Sequence, residues 1–330
     1  MRAVLAAALA LAAAPVAAET PDQVAKRYAL AGEMLVGKGG EVILHRGYGA
    51  VSPDGGPKHK AGERWRLASI TKQVTAALIV RRVGLAALDR PISRPEDQAR
   101  TGQLTLRQLL THHTGLANPD ASPETADGVP SFYAASEPDI DYCLAAPARP
   151  GAAFAYNNCD YILASFVLAF QDADDRAFPK GMRWAEAGEK GISGFMNGKL
   201  EPRFNLAAWG AGGALIGTAR AVFDFDRALM TGKLLPSAAL AELWNPEGNG
   251  SYQALGAWVF PAKLKGCTAP KRIVQRDGEI YGVQVRNFIL PDDDLVVIVF
   301  TNRLADDFAF GQVWQQSGFA FDLLSAAACG

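Results

Sequence analysis

Apolar residues alternate near both ends of this chain, while helical spacing occupies the stretch between. Near the start, Met34 and Val36 precede Gly37-Lys38-Gly39-Gly40, and Val42 and Leu44 alternate after it, so residues 32–50 are expected to form a hairpin. Strand-like runs return at 253–260, 283–290 and 295–301, the last two flanking the turn signal Pro291-Asp292-Asp293-Asp294. Between these ends, helices fit 69–83 and 159–170, and an amphipathic one fits 219–230. Thr105-Leu106-Arg107-Gln108 has the capping-box pattern and opens a short helix that stops near Gly115. Residues 52–63, 116–152 and 171–205 are expected to be loop-rich. Strands at both ends with helices in the middle predict an α+β fold: an antiparallel sheet completed by both chain ends, flanked by helices, with a helical lobe inserted. The expected division is an α/β lobe of 19–66 and 206–330 and a helical lobe of 67–205.

Composition supports a packed core and excludes other classes. The 330 residues are 49% hydrophobic and 20% charged with a net charge of −1, unlike a disordered chain. No basic run suggests a nucleic-acid surface, and no fixed period suggests a repeat protein. Residues 1–18, MRAVLAAALALAAAPVAA, read as an export signal, with small residues before Glu19 for cleavage. The apolar run is too short for a stable membrane anchor. A periplasmic or secreted protein is therefore expected. Four cysteines in an exported chain suggest two disulfides with three possible connectivities. The expected pairing is Cys143–Cys159, closing a short loop, and Cys267–Cys329, pinning the C-terminal tail.

Three short motifs carry chemistry. In Ser69-Ile70-Thr71-Lys72, residues three apart share a helix face, so the Lys72 ammonium reaches the Ser69 hydroxyl. A serine needs a base to take its proton, and a desolvated lysine can serve. In Tyr156-Asn157-Asn158, a tyrosine between two cations favours the phenolate and becomes a general base, while Asn158 orients Lys72 or donates to a substrate carbonyl. In Arg276-Asp277-Gly278, placed just before the 283–290 strand, the cation holds a substrate carboxylate or stabilises the phenolate, and Gly278 permits close approach to the strand backbone. Each motif alone also fits an ordinary helix turn or polar loop.

Taken in order, these segments resemble the serine β-lactamase and penicillin-binding-protein family, most closely the class C β-lactamase-like hydrolases and esterases. The resemblance runs from about Gly32 to Asn302. It includes Arg66 to Lys72, Leu109-Leu110-Thr111-His112-His113-Thr114-Gly115-Leu116, Pro150-Gly151, Phe154 to Asn158, and Gly212-Gly213 followed by Thr218-Ala219-Arg220. It implies a β-lactamase/transpeptidase-like fold, Ser69 as the acylated nucleophile and Lys72 as helper base. Tyr156 would deprotonate Ser69 and later the deacylating water, with Asn158 lining the site. Arg276 stands where the family usually has Lys or His. The oxyanion hole would use the backbone N–H groups of Ser69 and Glu279. Asp277 and Glu279 depart from the family's small or hydroxyl residues. They should repel a β-lactam carboxylate unless Arg276 compensates or their side chains point away, so a neutral ester, or an amide or peptide (a D-amino-acid peptide among them) with a nearby amine, is expected over efficient β-lactam turnover.

No cofactor or metal is implied. The expected partner is a small ester or amide substrate, with no nucleic acid, no stable membrane insertion and a monomeric chain. His112 and His113 invite a Ser–His–Asp reading, but no G-x-S-x-G elbow exists, and in the resembling family this segment is structural. A binding or sensor protein that retains the cleft without catalysis is the alternative function.

Overall fold

The computed structural model describes residues 18–92, 98–167, 178–248 and 250–330; the expected export signal lies, apart from Ala18, outside the described residues. The chain opens with helix α1 (Pro21–Arg27), capped by a reciprocal Thr20–Gln23 capping box. Strands β1 (Gly32–Lys38) and β2 (Glu41–Tyr48) follow as the expected hairpin. Part of the expected 52–63 loop is instead a small hairpin, Ala50–Ser52 with Gly55–Lys58. Helix α2 (Ile70–Val83) carries eleven buried residues, so it runs through the interior rather than along the surface.

The middle of the chain is helical and loop-rich. Helix α3 (Leu106–Leu110) has both bonds of the Thr105–Gln108 capping box. Helix α4 (Asn158–Val167) covers the described part of the expected 159–170 helix, of which 168–170 lie outside the described residues. The 171–205 segment, described from residue 178, contains strand Met182–Trp184 and the short pair Phe195–Met196 and Lys199–Leu200. The first of these pairs with Leu215–Gly217, which also pairs with Trp65–Arg66 immediately before the Ser69 turn.

Helices α5 (Ala219–Met230) and α6 (Ser237–Leu243) lead into β3 (Trp258–Ala262), β4 (Lys271–Ile280), β5 (Val283–Leu290) and β6 (Leu295–Thr301), and helix α7 (Phe319–Cys329) ends the chain. The six strands form one antiparallel sheet in the order β3-β4-β5-β6-β1-β2, so both chain ends do complete it. Period-two alternation then sorts the core. Val296, Ile298 and Phe300 of β6 face the core of α2 and α5, whereas Leu295, Val297 and Val299 face that of α1 and α7. With both faces covered, β6 reads Leu-Val-Val-Ile-Val-Phe-Thr without a polar alternation. Pro261 is tolerated because β3 is an edge strand.

Strand β4 departs from expectation: Arg276-Asp277-Gly278 lies inside it, not in a turn before the next strand. The polar string Lys-Arg-Ile-Val-Gln-Arg-Asp-Gly-Glu-Ile hides its strand character because partners elsewhere in the fold neutralise its charges. The four cysteines form the two expected disulfides, Cys143–Cys159 and Cys267–Cys329. Among the described residues, no helix is long and apolar enough to cross a membrane.

Candidate active site

Strand Trp65–Arg66 delivers the chain to Ala68, whose φ of 45° lies in the left-handed region, and the next residue, Ser69, caps α2. The Ser69 hydroxyl makes no capping bond to the helix, so it is free to face the cleft. One turn on, fully buried Lys72 donates to Ser69 Oγ at 3.2 Å, Asn158 Oδ1 at 2.5 Å and the Gly212 carbonyl at 2.6 Å. Those three acceptors match the three donors of an ammonium. Gly212 leaves room for this contact: a Cβ there would lie 3.3 Å from Asn158 Oδ1 and 3.4 Å from Lys72 Nζ, so the buried pair would have to shift. Burial depresses the Lys72 pKa, with nearby Arg276 adding to the effect and Tyr156 opposing it.

Tyr156 meets Ser69 from the other side, its Oη 2.5 Å from Ser69 Oγ. Arg276 Nη2 donates to the same phenol oxygen at 2.8 Å, and Arg276 Nε donates to the Ser69 carbonyl at 3.0 Å. The Arg276 guanidinium also sits 5.2 Å from the Tyr156 ring centroid, and Lys72 Nζ 4.8 Å. Burial opposes ionisation of Tyr156, but Lys72 and Arg276 outweigh it and hold the phenol below its ordinary pKa. A phenol so placed can accept the Ser69 proton.

Strand β4 forms the opposite wall. Its pairing with β3 ends at Gln275, so Arg276 to Glu279 have no strand partner on that side. Gly278 brings that edge against the helix start: a Cβ there would lie 2.7 Å from the Ser69 nitrogen. The glycine thus serves the close approach of strand to helix. The Ser69 N–H donates to no group among the described residues. Arg276 and Gly278 share the face toward α2, and Gln275, Asp277 and Glu279 share the other. Asp277 pairs cross-strand with Arg286 at 3.2 Å and accepts from Gln275 at 2.9 Å, while the Glu279 side chain is exposed. The anticipated repulsion of a substrate anion by these two acids therefore loses its basis, because both side chains leave on the face away from Ser69.

Three supports of this site carry no motif that marks them for this role. His112, in the left-handed region at φ 65°, brackets Tyr156: its carbonyl accepts from Ala155 N at 3.0 Å and its Nδ1 from Asn157 N at 3.3 Å. Buried Asp160 contacts the same Nδ1 at 2.7 Å, and its other oxygen accepts from Thr114. Arg66, wholly buried, pairs with Glu201 and donates to the carbonyls of Ile280 and Tyr281, fixing the end of β4. Asn158 Nδ2 donates to Tyr133 Oη at 2.7 Å, and Tyr133 stacks on Trp209. For His112 and Arg66 the signal lies only in the quoted Leu109–Leu116 and Arg66 segments, whose partners are distant in sequence, and Tyr133 lies in no quoted segment. His45 and His59 pair with Glu33 and Glu63, and no cluster of three metal-ligating side chains occurs among the described residues.

A sequence model of the family Beta-lactamase matches residues 17–316. The chain belongs to the beta-lactamase family. The chain is also 34% identical over 105 residues to the esterase EstB of Burkholderia gladioli, a match covering 29% of this chain and 27% of that one. This chain thus spans about a quarter of the curated relative it matches. Its fold is the β-lactamase/transpeptidase-like one. The D-amino acid amidase of Ochrobactrum anthropi SV3, solved with D-phenylalanine, superposes with a TM-score of 0.69 at 18% identity, covering 93% of this chain and 95% of the other. A penicillin binding protein of Bacillus halodurans superposes with a TM-score of 0.68 at 20% identity, over 93% and 98%. The family match spans all three motifs: Ser69 to Lys72, Tyr156 to Asn158, and Arg276 to Gly278.

Proposed function

We propose that this beta-lactamase family protein is an exported serine hydrolase that cleaves small esters or amides through an acyl group on Ser69. The observation that carries the reading is the 2.5 Å contact between Ser69 Oγ and a Tyr156 phenol flanked by two cations. The Tyr156 phenolate takes the Ser69 proton as Oγ bonds to the substrate carbonyl carbon. The resulting oxyanion is held by the N–H groups of Ser69 and Glu279. Tyr156 then returns the proton to the leaving oxygen or nitrogen as that bond breaks. Water enters, gives its proton to Tyr156, attacks the ester carbonyl, and Ser69 leaves with the proton restored. Lys72 and Arg276 stabilise the phenolate throughout, and Asn158 orients Lys72. The esterase relative supports an ester as substrate, and the two disulfides support an oxidising compartment.

The test is hydrolysis of p-nitrophenyl acetate by the mature protein and its Ser69→Ala variant. Turnover by the wild type, falling at least about a thousandfold in the variant, is expected. Equal rates would show that Ser69 is not the nucleophile. Absence of turnover in the wild type would favour a binding protein that keeps the cleft.

A further inference from the structure

We infer that Asp120 is a specificity residue for an ammonium group on the acyl part of the substrate, so that the acyl donors are amine-bearing. The inference rests on the hydrolase reading above and names its substrate class. Asp120 lies in the short helical turn Pro119–Ala121 and is exposed. One of its oxygens accepts from Tyr133 Oη at 2.6 Å. Tyr133 in turn accepts from Asn158, whose other amide atom holds the Lys72 ammonium beside Ser69. The carboxylate is thus joined to the nucleophile through three side chains, and it lies near enough to Lys72 to favour its charged form. Among the described residues, its second oxygen takes no hydrogen bond and no cation pairs with the carboxylate.

The placement is built rather than accidental. Asn157, next to the proposed base, donates to the carbonyls of Leu116 and Ala117, both at 3.0 Å. Tyr142 donates to the Asn118 carbonyl at 3.1 Å, and the Asn118 side chain accepts from Asp120 N. The backbone leading into Asp120 is therefore pinned by the same segment that carries Tyr156.

Chemistry assigns the side of the cleft. The base that takes the Ser69 proton must hand it to the leaving group, so the leaving group lies by Tyr156 and Arg276. The acyl portion then extends the other way, along Asn158 and Tyr133 toward Asp120. Tyr281, just past the end of β4, lies edge-on to Trp209 with ring centroids 6.0 Å apart, and Trp209 stacks on Tyr133 at 3.7 Å, so the end of β4 packs against the ring whose hydroxyl bonds Asp120. Between Leu116 and Ala148 the chain has six acids and no Lys, Arg or His, although the whole chain is nearly neutral. The free Asp120 oxygen therefore sits in a region of negative potential that draws a cation and repels an anion. Alpha-aminoacyl amides and esters place an ammonium a few bonds from the scissile carbonyl, as this arrangement requires.

Asp120→Asn keeps an oxygen for the Tyr133 hydroxyl and removes only the charge. The experiment compares kcat/KM for alanine p-nitroanilide, as each enantiomer, with that for its des-amino twin, propionyl p-nitroanilide. At pH 6.5, below the amine pKa of about 8, the wild type is expected to favour the amino substrate in at least one enantiomer. Asp120→Asn should lower that ratio by at least about tenfold, the scale of a lost charge-assisted hydrogen bond. The ratio is internal to each preparation, so partial misfolding of the variant does not alter it. A wild-type ratio at or below one for both enantiomers, or a ratio unchanged in Asp120→Asn, overturns the inference. Ser69-dependent cleavage of p-nitrophenyl acetate with neither anilide cleaved overturns it too, and leaves the hydrolase reading standing. Absence of Ser69-dependent turnover on every substrate overturns both.

Discussion

Arg276 does at residue scale what no neighbour in sequence can do for Tyr156. It supplies the second cation on the phenol, reaching it across 120 positions of chain. Removing that charge raises the Tyr156 pKa, because burial then acts against a single ammonium. The rising limb of kcat/KM against pH, expected below the ordinary tyrosine value of about 10, should move upward in Arg276→Gln. Activity at pH 7 should fall by about ten- to a hundredfold. Arg276→Lys retains a charge and should restore part of both. A profile from pH 5 to 10 whose midpoint does not move in the glutamine variant would remove Tyr156 from the role of base.

At the scale of elements, the contact of α2 with α5 contains a carboxyl group that the interior disfavours. Asp226 of α5 is fully buried and accepts from Gln73 of α2 at 2.8 Å, while Asn287 of β5 donates to the same glutamine. Burial pushes Asp226 up to about 8, against the neighbouring amides of Asn287 and Gln73. Below about pH 4 both folded and unfolded chains hold this proton, and nothing is lost. Between about 4 and 8 the unfolded chain releases it while the folded chain retains it, so folding loses stability as pH rises. Asp226→Asn does not titrate. Its Tm relative to wild type should therefore rise by several degrees between pH 4.5 and pH 7.5, and a difference independent of pH would contradict the assignment. The pair is also what lets a helix as buried as α2 carry a glutamine on its inner face.

Across the whole molecule, the two disulfides act at different distances from the chemistry. Cys143–Cys159 spans 16 positions and Cys267–Cys329 spans 62. Loop-closure entropy assigns them about 3 and about 4 kcal/mol. The second fastens α7 onto the outer face of the sheet, where Tyr28 and Arg27 of the N-terminal segment also bond Asp322. The first ties helix Ile140–Cys143 to α4 at the residue following Asn158. Cys267→Ser with Cys329→Ser should lower Tm more than the other pair. Cys143→Ser with Cys159→Ser should lower kcat more, since Asn158 and Tyr156 lose their anchor. Thermal melts and ester kinetics on both double variants check this, and a reversed order in either measurement would contradict it.

Local pattern alone determined much of this protein. Strands Val283–Leu290 and Leu295–Thr301 and helix Ala219–Met230 have the bounds their periodicity and turn residues predict, because those signals are written in adjacent positions. The Thr105–Gln108 cap is legible for the same reason. The Ser69–Lys72 contact needs only the pitch of a helix. Tertiary structure decided the rest. Lys271–Ile280 is a strand whose buried charges are paid for by Tyr156 and Arg286, neither adjacent to it in sequence. Whether Asp277 faced Ser69 or turned from it depended on strand register, where a shift of one residue reverses every side chain. The bracket of His112 around Tyr156 and the tie of Asp120 to Asn158 through Tyr133 join distant segments. Their energies exist only once the core has brought those segments together, so no window of neighbouring residues records them.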